Sequence, residues 1–154
     1  DALIGNWDRH NGNWGFLYNT ATDEIAIAPV YDCGSCLYPQ ADEAIMRDTI
    51  DKQPERDLRT FSIPLSSIKV NGRKINYFDF ISSLENADCN KALKRILPKI
   101  NMDAIFRIVD ETPFISDLQK QFYKTMLRTR KERILDFAME KLRKREKAKE
   151  LDAR

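Results

Sequence analysis

Glycine is distributed unevenly along this chain of 154 residues, and its distribution limits what the chain can fold into. Four of the five glycines lie in the first 40 residues, together with both tryptophans and two of the three cysteines. Because glycine accepts backbone conformations that other residues resist, residues 1–40 are predicted to consist of loops and a hairpin. Residues 41–154 contain one glycine and are predicted to be mostly helical.

Two short hairpins are predicted in this otherwise helical chain. Phe16–Asn19 and Glu24–Val30 are short apolar or alternating runs, and residues 20–23 between them suit a turn. The second hairpin is centred on Asn71-Gly72, which is flanked by β-forming residues. Asn-Gly is the strongest short-range hairpin signal because both central residues must take a positive φ. The predicted fold class is therefore mainly α with small β-hairpins.

The remaining segments carry the start and stop signals of helices. Asp42 is a suitable N-cap for a helix that begins beside it, and Pro54 cannot extend that helix. Further helices are predicted at about residues 77–85, 88–97 and 101–110. A last helical segment begins near Ser116, where apolar residues start to recur on one helical face.

This last segment is basic, because residues 115–154 hold 13 Lys and Arg against 7 Asp and Glu. No residue from Arg128 to Arg133 is apolar, which predicts either one long helix that crosses open solvent or two helices with a bend. Acidic and basic residues alternate along the segment at i,i+4 spacing. This pattern is more typical of a solvated helix face than of a surface that binds nucleic acid or a membrane.

Size and composition exclude several classes of protein. A chain of 154 residues is one ordinary domain and can bury a core without disulfides or metals. The hydrophobic fraction of 42% and the charged fraction of 32% exclude a disordered chain, and no apolar run is long enough to span a membrane. The three cysteines cannot all pair in disulfides within the chain, which favours a reducing, cytoplasmic compartment. Cys33 and Cys36 lack a second close pair, so neither a zinc nor a redox site is predicted.

Polar residues suited to chemistry are concentrated near the start of the chain. Asp8, His10 and Asn13 form the pattern Asp-x-His-x-x-Asn, and the two tryptophans that flank it are interpreted as core anchors. Taken alone, Asp and Asn beside glycine are typical turn and cap residues. Asp32, however, ends an apolar strand and precedes Cys33-Gly34, so its carboxylate is predicted to project into a crevice. The combination favours a functional site.

These residues match what phosphoryl transfer requires of a protein. One carboxylate accepts the proton of the attacking hydroxyl, while an amide oxygen and a second carboxylate hold magnesium against the phosphates of ATP. In kinases the base and the Asn lie five residues apart on one loop, and the metal-binding Asp follows later in the chain. Asp8, Asn13 and Asp32 have this order and spacing.

The strings GNWDRHNGNWGFL and IAIAPVYDCGS resemble the HipA-like serine/threonine kinases, atypical kinases often found in bacterial toxin–antitoxin modules. The resemblance implies that Asp8 is the catalytic base and that His10 supports the catalytic loop. It also implies that Asn13 and Asp32 bind magnesium and the phosphates of ATP. Some members carry Lys just before the Asn, where this chain has Gly12, so a phosphate contact from that Lys is not expected.

The resemblance also implies how the chain is organised. Residues 1–40 would hold the catalytic loop, a hairpin and the metal-binding loop, and residues 41–154 the helical remainder of the same kinase-like C-terminal lobe of HipA type. Neither a glycine-rich phosphate loop nor a strand lysine is present, and the chain begins at Asp1 without a signal segment. The nucleotide-clamping N-terminal lobe is therefore expected outside this chain, and these 154 residues alone are expected to be inactive.

The function that the resemblance implies is ATP- and Mg²⁺-dependent phosphoryl transfer to a Ser or Thr hydroxyl of a protein substrate in the bacterial cytoplasm. Further partners would be an antitoxin or a separately encoded N-terminal lobe. Direct contact with nucleic acid or with a membrane is not predicted.

Two alternatives remain open. The first is a fragment of a phosphoinositide-type kinase, since the catalytic loops of those kinases also contain Asp-Arg-His-x-x-Asn. Their activation segment is basic, whereas residues 36–51 hold four acidic residues and one basic residue, Arg47. The second alternative is a non-enzymatic helical binding module that uses its basic C-terminal helix.

Overall fold

The computed structural model describes residues 1–152, and residues 153 and 154, at the end of the predicted helical remainder, lie outside the described part. The strands are β1 Phe16–Asn19, β2 Glu24–Ile27, β3 Lys69–Val70 and β4 Arg73–Lys74. The helices are α1 Glu43–Asp51, α2 Gln53–Asp57, α3 Tyr77–Ser83, α4 Ala87–Ile96, α5 Met102–Glu111, α6 Asp117–Arg130 and α7 Phe137–Asp152. This mostly helical architecture, with two small antiparallel sheets, confirms the predicted fold class. No helix within residues 1–152 combines the length and the apolar character needed to cross a lipid bilayer.

Both hairpins form where the sequence predicts them. β1 pairs with β2 in antiparallel register, and the pairing stops before Pro29, which has no N–H to donate. The strand β2 is therefore three residues shorter than predicted. β3 and β4 are joined by Asn71 and Gly72, whose φ values of 51° and 77° are both positive. These are the conformations that an Asn-Gly turn requires.

Side-chain caps mark the starts of five helices. In each, an Asn, Asp or Ser side chain accepts the backbone N–H of the third helical residue. These caps are Asp42, Asn76, Asn86, Asn101 and Ser116. The predicted N-cap of α1 is therefore confirmed. Pro54 does not extend α1 and lies in the first turn of α2, where its missing N–H leaves no helical hydrogen bond unmade.

The C-terminal helical segment runs from α6 into α7 through a wide π-helical turn, Lys131–Asp136. A second π-helical turn, Leu58–Ser62, follows α2 and packs against the first. Arg130 is only 1% exposed, so of the two predicted alternatives the long helix that crosses open solvent is wrong. It fails because this segment passes through the interior, where backbone carbonyl groups of other segments surround the Arg130 guanidinium.

The core lies on both sides of Arg130 along this segment. On the N-terminal side, Phe122 and Met126 of α6 pack with Met46 of α1. On the C-terminal side, the buried cluster combines the π-helical turn Lys131–Asp136 and α7 with one residue each from α3 and α4. Its members are Ile81, Leu93, Ile134, Leu135, Ala138 and Met139.

Phe122→Ala is expected to lower the free energy of unfolding by about 3–5 kcal/mol. The Phe122 side chain is 0% exposed and meets Tyr38 edge-on, with ring centroids 5.9 Å apart, so its truncation leaves a cavity. The measurement is urea denaturation followed by circular dichroism. Phe114→Ala is the matched control, because Phe114 is fully exposed and its removal should change stability by less than about 0.5 kcal/mol. Equal losses in the two variants would contradict the described packing.

Candidate active site

His10 organises the loop that carries the predicted base. Its Nδ1 accepts the backbone N–H of Gly12 at 3.0 Å and caps a single turn of 3₁₀ helix, Asn11–Asn13. Because Nδ1 is an acceptor, the neutral imidazole carries its proton on Nε2. Nε2 lies 4.0 Å from Oδ2 of Asp8, which is longer than a hydrogen bond. This geometry fits a residue that supports the loop.

Asn13 is held so that its side-chain oxygen stays available. Nδ2 donates to the carbonyl oxygen of Asp8 at 2.8 Å, and only the NH₂ half of the amide can make that bond, so Oδ1 points elsewhere. Asn13 is 5% exposed, yet its Oδ1 accepts no hydrogen bond within residues 1–152 and is not sealed from solvent. Oδ1 is therefore a free oxygen ligand of the kind that magnesium prefers.

Arg9 joins the two loops of the site, and the sequence patterns described above did not identify it. Its side chain is 8% exposed, and Nη1 donates to the carbonyl oxygens of both Asn13 and Tyr31, the latter at 2.9 Å. Nε and Nη2 donate to the carboxylate of Asp1 at 3.1 to 3.2 Å. The sequence did hold one sign that Arg9 is special, because it is the sole Lys or Arg among the first 46 residues.

Asp32 follows Tyr31 in the second loop. The Tyr31 hydroxyl donates to the carbonyl oxygen of Gly12 at 3.1 Å, which gives the two loops a second link. Asp32 has a φ of 52°, in the left-handed region that Asp tolerates better than most residues. Its carboxylate is exposed and makes no hydrogen bond within the described residues. Asp32 therefore presents a second oxygen ligand to solvent.

The structure places Asp8, His10 and Asn13 in one loop and ties that loop to the backbone beside Asp32. The Asp32 carboxylate makes no hydrogen bond to the side chains of the other three residues. The roles of these four residues, and the sharing of one cation by Asn13 and Asp32, stay predictions from their spacing.

Two open cavities flank the loop. One, of about 350 Å³, is bounded by Asn13 and Trp14 on one side and by the apolar segment 27–30 on the other. The second, of about 230 Å³, is bounded in part by Trp7 and Tyr38. Trp7 and Trp14 are 38% and 52% exposed, so their interpretation as core anchors is wrong. The loop lies at the surface of the described chain, and the two indole rings form cavity walls there.

The cysteines lie next to Asp32 without forming part of a metal cluster. Within residues 1–152, no three His, Cys, Asp or Glu side chains lie close enough together to hold a metal ion. Burial and the neighbouring Cys33 thiol raise the pKa of Cys36 to about 11. The Cys36 thiol is therefore protonated at neutral pH and is a poor nucleophile.

Comparison with known proteins connects the chain to a protein kinase. No family model matches it. It is 49% identical over 139 residues to the serine/threonine-protein kinase CtkA of Helicobacter pylori, and the alignment covers 90% of this chain and 43% of that protein. The crystal structure of CtkA, a Helicobacter pylori proinflammatory kinase, superposes with a TM-score of 0.84 at 48% identity. That superposition covers 90% of this chain and 51% of the CtkA chain.

The chain thus spans about half the length of the kinase that it matches. Over that half, the similarity in sequence and fold links it to serine/threonine protein kinases and agrees with the mainly helical fold class. The sequence predicts that any kinase chemistry lies in the loops that carry Asp8 and Asp32.

Proposed function

We propose that this chain is the catalytic lobe of a HipA-like serine/threonine kinase, which uses ATP and magnesium to phosphorylate a hydroxyl of a protein. The observation that carries the proposal is the pair of hydrogen bonds that Nη1 of Arg9 donates to the carbonyl oxygens of Asn13 and Tyr31. It joins the loop of the proposed base to the loop of the proposed metal ligand. The similarity to the kinase CtkA supports the reaction class.

The oxygen atoms of the site fit magnesium. Nδ2 of Asn13 is bound to the Asp8 carbonyl, Oδ1 of Asn13 accepts no hydrogen bond from residues 1–152, and the Asp32 carboxylate is exposed. Amide and carboxylate oxygens are hard ligands, which suit this cation better than nitrogen or sulfur. Bound magnesium supplies neutralisation of the phosphate charge in this chemistry. We therefore assign its binding to Asn13 and Asp32.

We propose that the Asp8 carboxylate accepts the proton of the substrate hydroxyl. Its backbone is fixed on both sides, since its N–H donates to Asn6 Oδ1 at 3.0 Å and its carbonyl accepts the Asn13 amide at 2.8 Å. The side chain itself is 38% exposed and makes no hydrogen bond within residues 1–152, so an entering hydroxyl can reach it. The cavity beside Trp7 offers a surface for substrate residues next to that hydroxyl.

An exposed apolar surface on the first hairpin fits a missing lobe. Phe16, Ile25 and Ile27 share one face of the hairpin and are between 62% and 76% exposed, which is unusual for neighbouring large apolar side chains. We propose that a nucleotide-clamping lobe covers them, supplied by the same gene or by a separate one. The HipA-like assignment adds two further expectations, an antitoxin as partner and a location in the bacterial cytoplasm.

The alternative of a helical binding module for nucleic acid has less support. Several cations near or on the C-terminal helix have acidic partners, including Lys94 with Glu146 and Lys144 with Glu140. Lys131 binds Asp136 at 2.8 Å, and Arg130 is buried. Side chains that are paired or buried contribute little to counterion release from a nucleic acid.

The 154-residue chain alone is expected to show no measurable phosphoryl transfer and at most weak binding of magnesium–ATP. Positioning supplies most of the rate in this chemistry, and the glycine-rich loop and strand lysine of a kinase are not in this sequence. The test compares the chain with the full gene product that contains it, using radiolabelled ATP and a mixture of protein substrates. Transfer by the full product alone supports the proposal. Robust transfer by the 154 residues would mean that the nucleotide site has been misplaced.

A further inference from the structure

Arg130 is a buried cation in the interior of the fold, and it has no carboxylate partner within residues 1–152. Its side chain is 1% exposed, and no acidic oxygen of residues 1–152 lies within ion-pair distance. Nη2 is sealed from solvent and donates no hydrogen bond. A buried charge is costly to stability unless it is both paired and hydrogen-bonded, and Arg130 has hydrogen bonds but no counter-charge within residues 1–152. Core packing alone therefore does not explain an arginine at this position.

The oxygen atoms that Arg130 binds belong to the segment before the Asp8 loop, to Tyr38 after the Asp32 loop, and to the π-helical turn Leu58–Ser62. Nε donates to the carbonyl oxygen of Ala2 at 2.6 Å, in the segment that leads into the Asp8 loop. Nη1 donates to the Tyr38 hydroxyl at 3.0 Å and to the carbonyl oxygen of Arg59 at 2.9 Å. Tyr38 closes the loop that carries Asp32. One guanidinium thus contacts the borders of both loops.

The first route from Arg130 leads to Asp8. The guanidinium lies over the Tyr77 ring, 5.7 Å from its centroid, and the Tyr77 hydroxyl donates to the carbonyl oxygen of Asn6. Asn6 is 0% exposed, and its Oδ1 accepts the backbone N–H of Asp8 at 3.0 Å. The position of the Asp8 backbone therefore depends on a buried chain of contacts that starts at α6.

The second route leads to the loop of Asp32 through a strained turn. Leu37 and Tyr38 have φ values of 56° and 58°, a conformation that bulky residues adopt only where surrounding contacts impose it. Burial raises the pKa of Tyr38, so its hydroxyl stays protonated at neutral pH. The hydroxyl donates to the Arg59 carbonyl and accepts from Arg130. These bonds hold the turn that follows Asp32.

We infer that Arg130 is a positioning residue that sets the geometry of both loops of the phosphoryl-transfer site while contacting neither substrate nor metal. This inference rests on the proposed function for its consequence in catalysis. Its structural content, the coupling of α6 to the two loops, is independent of any activity and can be measured separately.

The experiment is hydrogen–deuterium exchange on the full gene product, read in peptides that cover residues 4–13 and 31–40. Arg130→Lys keeps the positive charge but loses the planar guanidinium and its several N–H donors. It should speed exchange in both peptides by about tenfold or more, while exchange in α4 stays at the parent rate. Tyr77→Phe should speed exchange more in the Asp8 loop than in the Asp32 loop, and Tyr38→Phe should do the reverse. Arg133→Lys is the matched control, because Arg133 pairs with Asp57 and does not touch either loop.

Phosphoryl transfer is measured on the same preparations. Arg130→Lys should lower kcat by about tenfold or more at temperatures well below its melting point, whereas Arg133→Lys should keep the parent kcat. If Arg130→Lys does not fold, the two tyrosine variants test the inference, because each should speed exchange mainly in a different loop. Exchange at the parent rate in both loops of Arg130→Lys, or equal acceleration everywhere in all variants, would overturn the inference. Absence of transfer in the parent would instead refute the proposed function, while the exchange data still decide the positioning role.

Discussion

Asp8→Asn in the full gene product is expected to reduce phosphoryl transfer by roughly 10²–10⁴-fold. The substitution keeps the shape of the side chain and removes the carboxylate that accepts the hydroxyl proton. It leaves the local structure intact, because the bonds that fix residue 8 involve its backbone N–H and carbonyl rather than its side chain. The measurement is the initial rate of transfer from radiolabelled ATP, together with a thermal melt of the same preparation.

Magnesium–ATP binding separates this effect from a general loss of the site. Asp8 is not assigned to the metal, so the Asn variant should bind magnesium–ATP nearly as well as the parent. Its melting temperature should lie within a few degrees of the parent value. An Asp8→Asn variant that keeps its activity would make Asp8 an ordinary turn residue, and one that unfolds would give it a structural role.

Asp32→Asn is expected to weaken the binding of magnesium–ATP by at least about tenfold. In other metal sites, mutating a residue that only hydrogen-bonds to a metal ligand already lowers the affinity for the metal by about 10–100-fold. Transfer at limiting magnesium should fall with it. The substitution removes one negative charge from the proposed ligand set without straining the loop, because Asn adopts the left-handed φ of residue 32 as readily as Asp does. The measurement is a magnesium titration of ATP binding by calorimetry.

Asp23→Asn is the matched control for Asp32. Asp23 also has a positive φ, 55°, and lies in the exposed turn between β1 and β2. Its substitution should leave the affinity for magnesium–ATP unchanged. Equal affinities in the parent and both variants would remove Asp32 from the metal site. Loss in both variants would point instead to a general effect of charge on the hairpin.

Local signals in the sequence predicted most of the secondary structure. Asn71-Gly72 specifies its turn because both residues tolerate positive φ, and Asp42 specifies the start of α1 because its carboxylate accepts an N–H three residues later. Both devices act between residues that are close in the chain. The prediction of a site at Asp8, His10 and Asn13, which stays a prediction, is also local, since it depends on a pattern of residue types at short spacing.

The environment of the two tryptophans and of the basic segment could not be predicted in this way. Trp7 and Trp14 belong to a residue type that is usually well buried, yet the loop that carries them lies at the surface. Arg130 sits in a run with no apolar residue, which is typical of a solvated face, yet it is the largest fully buried side chain of the described residues. Burial depends on which segments pack above a residue, and that is a property of the whole fold.

Residue types and short spacings in the sequence specify the helical class, the two hairpins and the residues of the proposed phosphoryl-transfer site. The folded structure adds Arg9, which binds both loops of that proposed site, and Arg130, which we infer positions them. The reason lies in their acceptors, because Arg9 binds the carbonyl oxygens of Asn13 and Tyr31, and Arg130 that of Ala2, 128 residues away. Every residue carries a backbone carbonyl, so such a partner leaves no mark in the sequence, and only the folded chain shows which carbonyl groups meet which guanidinium.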